Sequence, residues 1–206
     1  MGSWETLFSY ENNPSYICDA GDKVYAVTDG KLFSYNAGDK SLEIYIKQDS
    51  GNDSIQIISY NSSTDKLLII RSNSDIDILD KSGNFFNIPF LKDALQNINK
   101  GINSIHMNGD LAYVSTNFGL ITINMARNEV KETCIFNFVI YASCVHNNIL
   151  YIASENGVKT VSTKENIQEL SKWTTLDISS KNPFSDLRFS DKDIRDLAFF
   201  KDKLHL

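Results

Sequence analysis

The chain is short of the residues that mark several protein classes. Its 206 residues include three prolines, three cysteines and three histidines. Cys18, Cys134 and Cys144 are odd in number and form no C-x-x-C pair, so spacing gives neither a disulfide framework nor a zinc knuckle. One bridge stays open, but buried free thiols are the expectation, because reduced cysteine packs as a small hydrophobe. No run of 18 apolar residues exists, which excludes a bilayer-spanning helix. The start, Met-Gly-Ser-Trp, lacks a charged segment followed by an apolar one, so the chain is read either as cytosolic or as exported after removal of a signal. Lysine and arginine form no cluster that could track phosphates, and the net charge is −6, which argues against duplex nucleic acid as a partner.

Catalytic signatures are also missing. There is no G-x-S-x-G elbow, no G-x-G-x-x-G after a strand, no P-loop and no H-E-x-x-H. The S-x-D-x-G-x-T-W boxes of sialidase propellers are absent as well. The chain is therefore expected not to be an enzyme, with no catalytic, cofactor-binding or metal residues assigned.

What the chain has in quantity is asparagine, 21 residues of it, beside isoleucine, serine and aspartate. That mixture suits polar turns between β-branched strands. It also has a repeat. The stretch 112-AYVSTNFGLITIN-124 has close relatives at 25-YAVTDGKLFSYN-36 and 150-LYIASENGVKTVS-162. Aligned on the residue leading each hairpin, the series runs Tyr25, Leu68, Tyr113, Tyr151 and His205. A period of roughly 40 to 50 residues filled with strands and turns is the signature of β-propeller blades.

Each unit opens on a short apolar strand that reaches a polar turn: Gly21-Asp22, Ser63-Thr64-Asp65, Asn108-Gly109 and Asn147-Asn148. These turns hold residues tolerant of positive φ, as tight hairpins require. A second series, Asp29-Gly30, Asn73-Ser74-Asp75, Phe118-Gly119 and Asn156-Gly157, leads into strands of period two such as 76-IDIL-79 and 120-LITIN-124. That alternation predicts half-exposed outer strands.

Units begin near residues 16, 55, 102, 141 and 194. The expected architecture is all-β: an incomplete β-propeller of about four and a half blades, each a four-stranded antiparallel sheet. The fifth unit is cut short at Leu206, so residues 1–206 are read as an N-terminal fragment of a longer protein. Two segments break the pattern. Residues 91–101 have apolar positions at helical spacing before Gly101, which predicts a short helix. Residues 171–193, with Trp173 and Phe184, read as an extended outer hairpin or an interblade loop.

Three side-chain sets invite chemistry. Counting back seven from the lead positions gives Cys18, His106, Cys144 and Ala198, and a Cys-His-Cys set suggests a metal. Equivalent positions fan around the propeller axis, however, and the first and third units are not neighbours, so a recurrent core position is expected. Asp75 and Asp77 would share a strand face, and Asp191 and Asp193 are similarly spaced; such pairs can do glycosidase work, but turn and edge solubility is the expectation. Trp4 and Trp173 could be exposed binding aromatics, with Trp4 equally suited to an edge strand closing against a later blade.

Taken in order over roughly residues 4–160, the segments 4-WETLFSY-10, 24-VYAVTDGKLFSYN-36, 67-LLIIRSNSDIDIL-79, 87-NIPFLKD-93 and 112-AYVSTNFGLITIN-124 resemble the N-terminal β-propeller of the PorZ family, components of the type IX secretion system of Bacteroidetes. The resemblance implies a non-catalytic assembly module on the outer-membrane surface or in the periplasm. Its implied partners are a sortase-like protein, outer-membrane proteins and anionic lipopolysaccharide, which becomes attached to cargo. The family's second propeller and C-terminal signal domain are not in this chain. The alternative is the glycan-binding periplasmic propeller of hybrid two-component regulators. Those repeats usually carry Trp near the lead position, where this chain has Val24-Tyr25, Ala112-Tyr113 and Leu150-Tyr151. A WD-repeat scaffold fits less well, since no unit ends in Trp-Asp.

Overall fold

The computed structural model describes residues 14–45, 54–89, 99–176 and 194–206. Four consecutive segments each fold into a four-stranded antiparallel meander. The first blade holds β1 (Tyr16–Ala20), β2 (Lys23–Thr28), β3 (Lys31–Asn36) and β4 (Leu42–Tyr45), and the second holds β5 (Ile55–Asn61), β6 (Lys66–Arg71), β7 (Ile76–Asp80) and β8 (Phe85–Ile88). The third contains β9 (Ile102–Asn108), β10 (Leu111–Thr116), β11 (Gly119–Asn124) and β12 (Glu129–Ile135). The fourth contains β13 (Ile140–His146), β14 (Ile149–Ser154), β15 (Gly157–Ser162) and the two-residue β16 (Thr174–Thr175), which follows a single 3-10 turn at Leu170–Lys172. A two-stranded fifth sheet pairs β17 (Ala198–Phe200) with β18 (Lys203–His205). Among the described residues the sheets do not close into a ring, and the architecture is an incomplete all-β propeller. The helix expected near residues 91–101 falls mostly outside the described residues, as do Trp4, Phe184, Asp191 and Asp193.

The turns follow their side chains. Asn147 and Asn148 both take positive φ (49° and 60°) between β13 and β14, the geometry that matches a two-residue turn to strand twist. Thr116 Oγ1 donates to Gly119 O at 2.8 Å and accepts the Phe118 N–H at 3.2 Å, and Ser154 closes the equivalent turn of the fourth blade in the same way.

First strands pack on first strands, β1 on β5, β5 on β9, β9 on β13 and β13 on β17, so they are the innermost strands of the fan. The core then falls into layers between blades. Leu67 and Ile69 of β6 pack toward the first blade with Val27 and Leu32, whereas Leu68 and Ile70 pack toward the third with Val114 and Ile121. Because both faces of β6 are covered, its sequence is an uninterrupted apolar run rather than an alternation.

The third strands depart from expectation. Ile76, Asp77, Ile78 and Leu79 of β7 are all buried, as is β11 from Gly119 to Ile123. Neighbouring blades flank these strands, so their polar positions are shut off from water. The solvent-facing layer is the fourth strand, for example β4, where Leu42, Glu43 and Ile44 are exposed.

Three inner strands carry a bulge at the same register. In β5, Ile55 pairs with Arg71 and Ile57 with Ile70, which leaves Gln56 as the extra residue. In β9 the extra residue is Asn103, between Ile102 and Ser104, and in β13 it is Tyr141, between Ile140 and Ala142. A bulge adds an unpaired residue and re-aims its side chain.

Candidate functional site

The inner strands present side chains at two ends. Near the end that leads into the first hairpins, register places Cys18 opposite Tyr25, Ser59 opposite Leu68, His106 opposite Tyr113, Cys144 opposite Tyr151 and Ala198 opposite His205. Counting seven back from Leu68 would give Asn61, but the longer 62–65 turn moves the equivalent position to Ser59. At two of these positions the side chain bridges blades in the same manner. Cys18 Sγ accepts the Tyr60 N–H at 3.2 Å, and His106 Nε2 accepts the Val145 N–H at 3.1 Å. Each acceptor serves the residue that follows its own counterpart in the next blade.

Burial lowers the His106 pKa below its ordinary value, which suits a ring that must accept at Nε2. Burial also raises the Cys18 thiol, with the Tyr60 N–H opposing that shift, and pushes Cys134 and Cys144 up to about 11. All three cysteines are free. Among the described residues, no three His, Cys, Asp or Glu side chains come together in a metal-holding group.

Asp75 and Asp77 have separate structural roles. Asp75 lies in the β6–β7 turn, where its N–H donates to Asn73 Oδ1 at 2.8 Å. Asp77 is fully buried; Arg71 Nε donates to its Oδ2 at 2.7 Å and Asn87 Nδ2 to its Oδ1 at 2.9 Å. Arg71 stands where the third and fourth blades have the turn-closing hydroxyls of Thr116 and Ser154, and its longer side chain reaches across to β7 instead. Both Asp77 oxygens are thereby engaged. Trp173, considered as an exposed aromatic, is instead buried: Nε1 donates to Ile167 O at 2.8 Å, and the ring meets Phe136 edge-on at 5.3 Å.

The opposite end of the inner strands holds the bulge residues. Gln56 and Asn103 are exposed, and Tyr141 is half-buried. Ser15 occupies the equivalent place in the first blade, its N–H and hydroxyl both donating to Val27 O at 2.8 and 3.2 Å. Arg195 occupies it in the fifth, with its guanidinium 5.3 Å from the Tyr141 ring centre. Asn103 Nδ2 donates to Ile140 O at 2.7 Å and to Asn117 Oδ1 at 3.0 Å, which links the third blade to the residue before Tyr141. The sequence signal for this set is a recurring isoleucine, Ile55, Ile102, Ile140 and Ile194, each directly before a side chain able to make polar contacts. Strand periodicity alone did not reveal it. No helix of the described residues is long and apolar enough to cross a membrane.

A family model described as the PorZ N-terminal beta-propeller domain of the type IX secretion system matches residues 24–174. The chain is similar to PorZ of Porphyromonas gingivalis, an essential bacterial surface component of that system, at 26% identity and a TM-score of 0.72, over 85% of this chain and 24% of that one. It is also similar to the extracellular domain of a putative hybrid two-component system from B. thetaiotaomicron, at 16% identity and a TM-score of 0.68, over 95% and 26% of the two chains. It thus spans about a quarter of each of those structures. No curated protein sequence matches it.

Proposed function

From the premise that the chain belongs to the PorZ N-terminal β-propeller family, whose model matches residues 24–174, we propose that it is the non-catalytic assembly and binding module of a type IX secretion component. In this reading the protein is exported, stands at the outer-membrane surface, and helps attach secreted cargo to anionic lipopolysaccharide together with a sortase-like enzyme and outer-membrane proteins. The family match carries the reading. Two observations support it: Cys18 and His106 serve joints between blades, and Asp77 is engaged by Arg71 and Asn87 within the second blade, while the hairpin turns stand at the surface.

The test is deletion of the full-length gene in its host. Cargo should accumulate unprocessed and unattached, and normally modified cargo on the surface of the deletion strain would overturn the reading. The second reading, a glycan-sensing propeller of a hybrid two-component regulator, rests on the fold shared with the B. thetaiotaomicron domain. It requires a transmembrane helix and a histidine kinase in the same reading frame, so the full gene sequence separates the two.

A further inference from the structure

We propose that the joint between the fourth blade and the fifth sheet is a proton-operated clasp, in which protonation of His146 tightens the seat of the fifth sheet. Among the described residues that sheet has two strands, β17 and β18, and it leans on the fourth blade through Leu197, Phe199 and Leu204, which join a cluster with Ala142, Cys144 and Ala153. Phe199 is its aromatic anchor. Its ring lies flat on the His146 imidazole, with centres 4.1 Å apart and planes 11° from parallel, and it meets the Tyr151 ring at 5.0 Å. The same imidazole reaches the β17–β18 turn, where Asp202 Oδ1 stands 3.4 Å from its Nε2. One side chain of the fourth blade thus holds the fifth sheet twice.

Both contacts respond to the proton in the same sense. In the neutral ring Nε2 can accept from Asn147 Nδ2, 2.8 Å away, so the Asp202 carboxylate faces a lone pair. An added proton turns Nε2 into a charged donor that Asp202 accepts, while the Asn147 amide turns to offer its oxygen. The stack gains as well, because an imidazolium over a phenyl face is a cation–π contact. The other titratable groups around the joint leave this sense unchanged. Burial keeps the Cys144 thiol protonated, Tyr151 meets Phe199, and Asp196 Oδ1 accepts the Leu197 N–H at 2.8 Å. Lys201 sends its ammonium over the Phe200 ring, 5.3 Å from its centre, and strand alternation puts Phe200, Lys203 and His205 on the face of the sheet opposite Phe199. His106 at the preceding joint has the reverse sense, since its Nε2 accepts the Val145 N–H and a proton there removes the acceptor. Acid therefore loosens one side of the fourth blade and tightens the other. The Asp202 side chain is 88% exposed, so solvent screens the ion pair and keeps the effect modest.

The clasp makes no use of the secretion reading and is tested apart from it. Histidine changes charge between pH 5 and pH 8, so the added hold is present at pH 5 and absent at pH 7.5. Native-state amide exchange of the full chain, read by NMR at both pH values and corrected for intrinsic exchange rates, measures local opening of the β17–β18 ladder. A His106→Gln background keeps the preceding joint out of the comparison. The expected result is ladder protection that rises about threefold to tenfold at pH 5, does not rise in His146→Gln, and rises less in Asp202→Asn. Equal protection at the two pH values, or the same rise in His146→Gln, would overturn the clasp. Where His146→Gln loses the ladder altogether, Asp202→Asn decides, because it keeps the imidazole and its stack; an undiminished rise there would also overturn the proposal.

Discussion

The imidazole of His106 accepts the peptide N–H of Val145 across the boundary between the third and fourth blades, at 3.1 Å. Protonating Nε2 would turn that acceptor into a donor facing a donor. Burial already holds the folded pKa below the usual His value, so the unfolded chain takes up this proton at a higher pH than the folded one. The contribution to stability is full above an unfolded pKa of about 6.5 and is lost as pH falls through the lower folded value. Thermal unfolding at pH 7.5 and pH 5 should show a larger drop for the native chain than for His106→Gln, which keeps an acceptor without the titration. Equal drops would refute the link.

Asp77→Ala should be severely destabilising, by roughly 3–5 kcal/mol, because it removes the carboxylate beside the buried Arg71 guanidinium. The double variant Arg71→Met with Asp77→Leu should recover most of that loss, since an apolar pair needs no charge compensation. Urea unfolding of the single and double variants measures both effects. A double variant no better than Asp77→Ala would show that Arg71 is not what makes the single change costly.

Gly119→Ala should cost about 1–3 kcal/mol or more. At φ +154° an added Cβ would run into the backbone carbonyl of Cys134 on β12, which cannot rotate away as a side chain can. Gly83→Ala also has positive φ, at +85°, but nothing lies within 4 Å of its added Cβ. Its cost should be smaller and purely conformational. Similar denaturation midpoints for the two variants would contradict this ranking.

Thiol labelling at pH 8 should separate the cysteines. Cys134 and Cys144, with pKa values near 11 and buried side chains, should stay unreactive toward Ellman's reagent until the chain unfolds. Cys18, which is only half-buried, should react slowly in the folded state. Rapid release of two or more equivalents from native protein would contradict the packing around Cys134 and Cys144.

Much of the architecture was legible because turn chemistry and apolar runs are local. Asn147-Asn148 announces its hairpin, and Leu67–Ile70 announces a strand covered on both faces. The third strands were harder to read. Asp77 and Thr122 give β7 and β11 a period-two polar pattern, yet both residues are fully buried, because burial there is decided by the adjacent blade. The Arg71–Asp77 pair spans a turn whose closing residue differs from the hydroxyls used in the next two blades, so the repeat alone does not indicate it. The bulges lie further still from sequence logic. They are a matter of two residues facing one across a ladder, and Gln56, Asn103 and Tyr141 share no side-chain chemistry that would align them.

Chains built from similar repeats are prone to misassembly, because one unit can dock where another belongs. The register position that runs Cys18, Ser59, His106, Cys144 and Ala198 differs from blade to blade. A thiol accepts the Tyr60 N–H at one joint and a longer imidazole accepts the Val145 N–H at another, so the two acceptors differ in reach and are not interchangeable. A chimera carrying the first blade in place of the third would keep well-formed sheets and lose the imidazole bond to Val145 at the joint with the fourth.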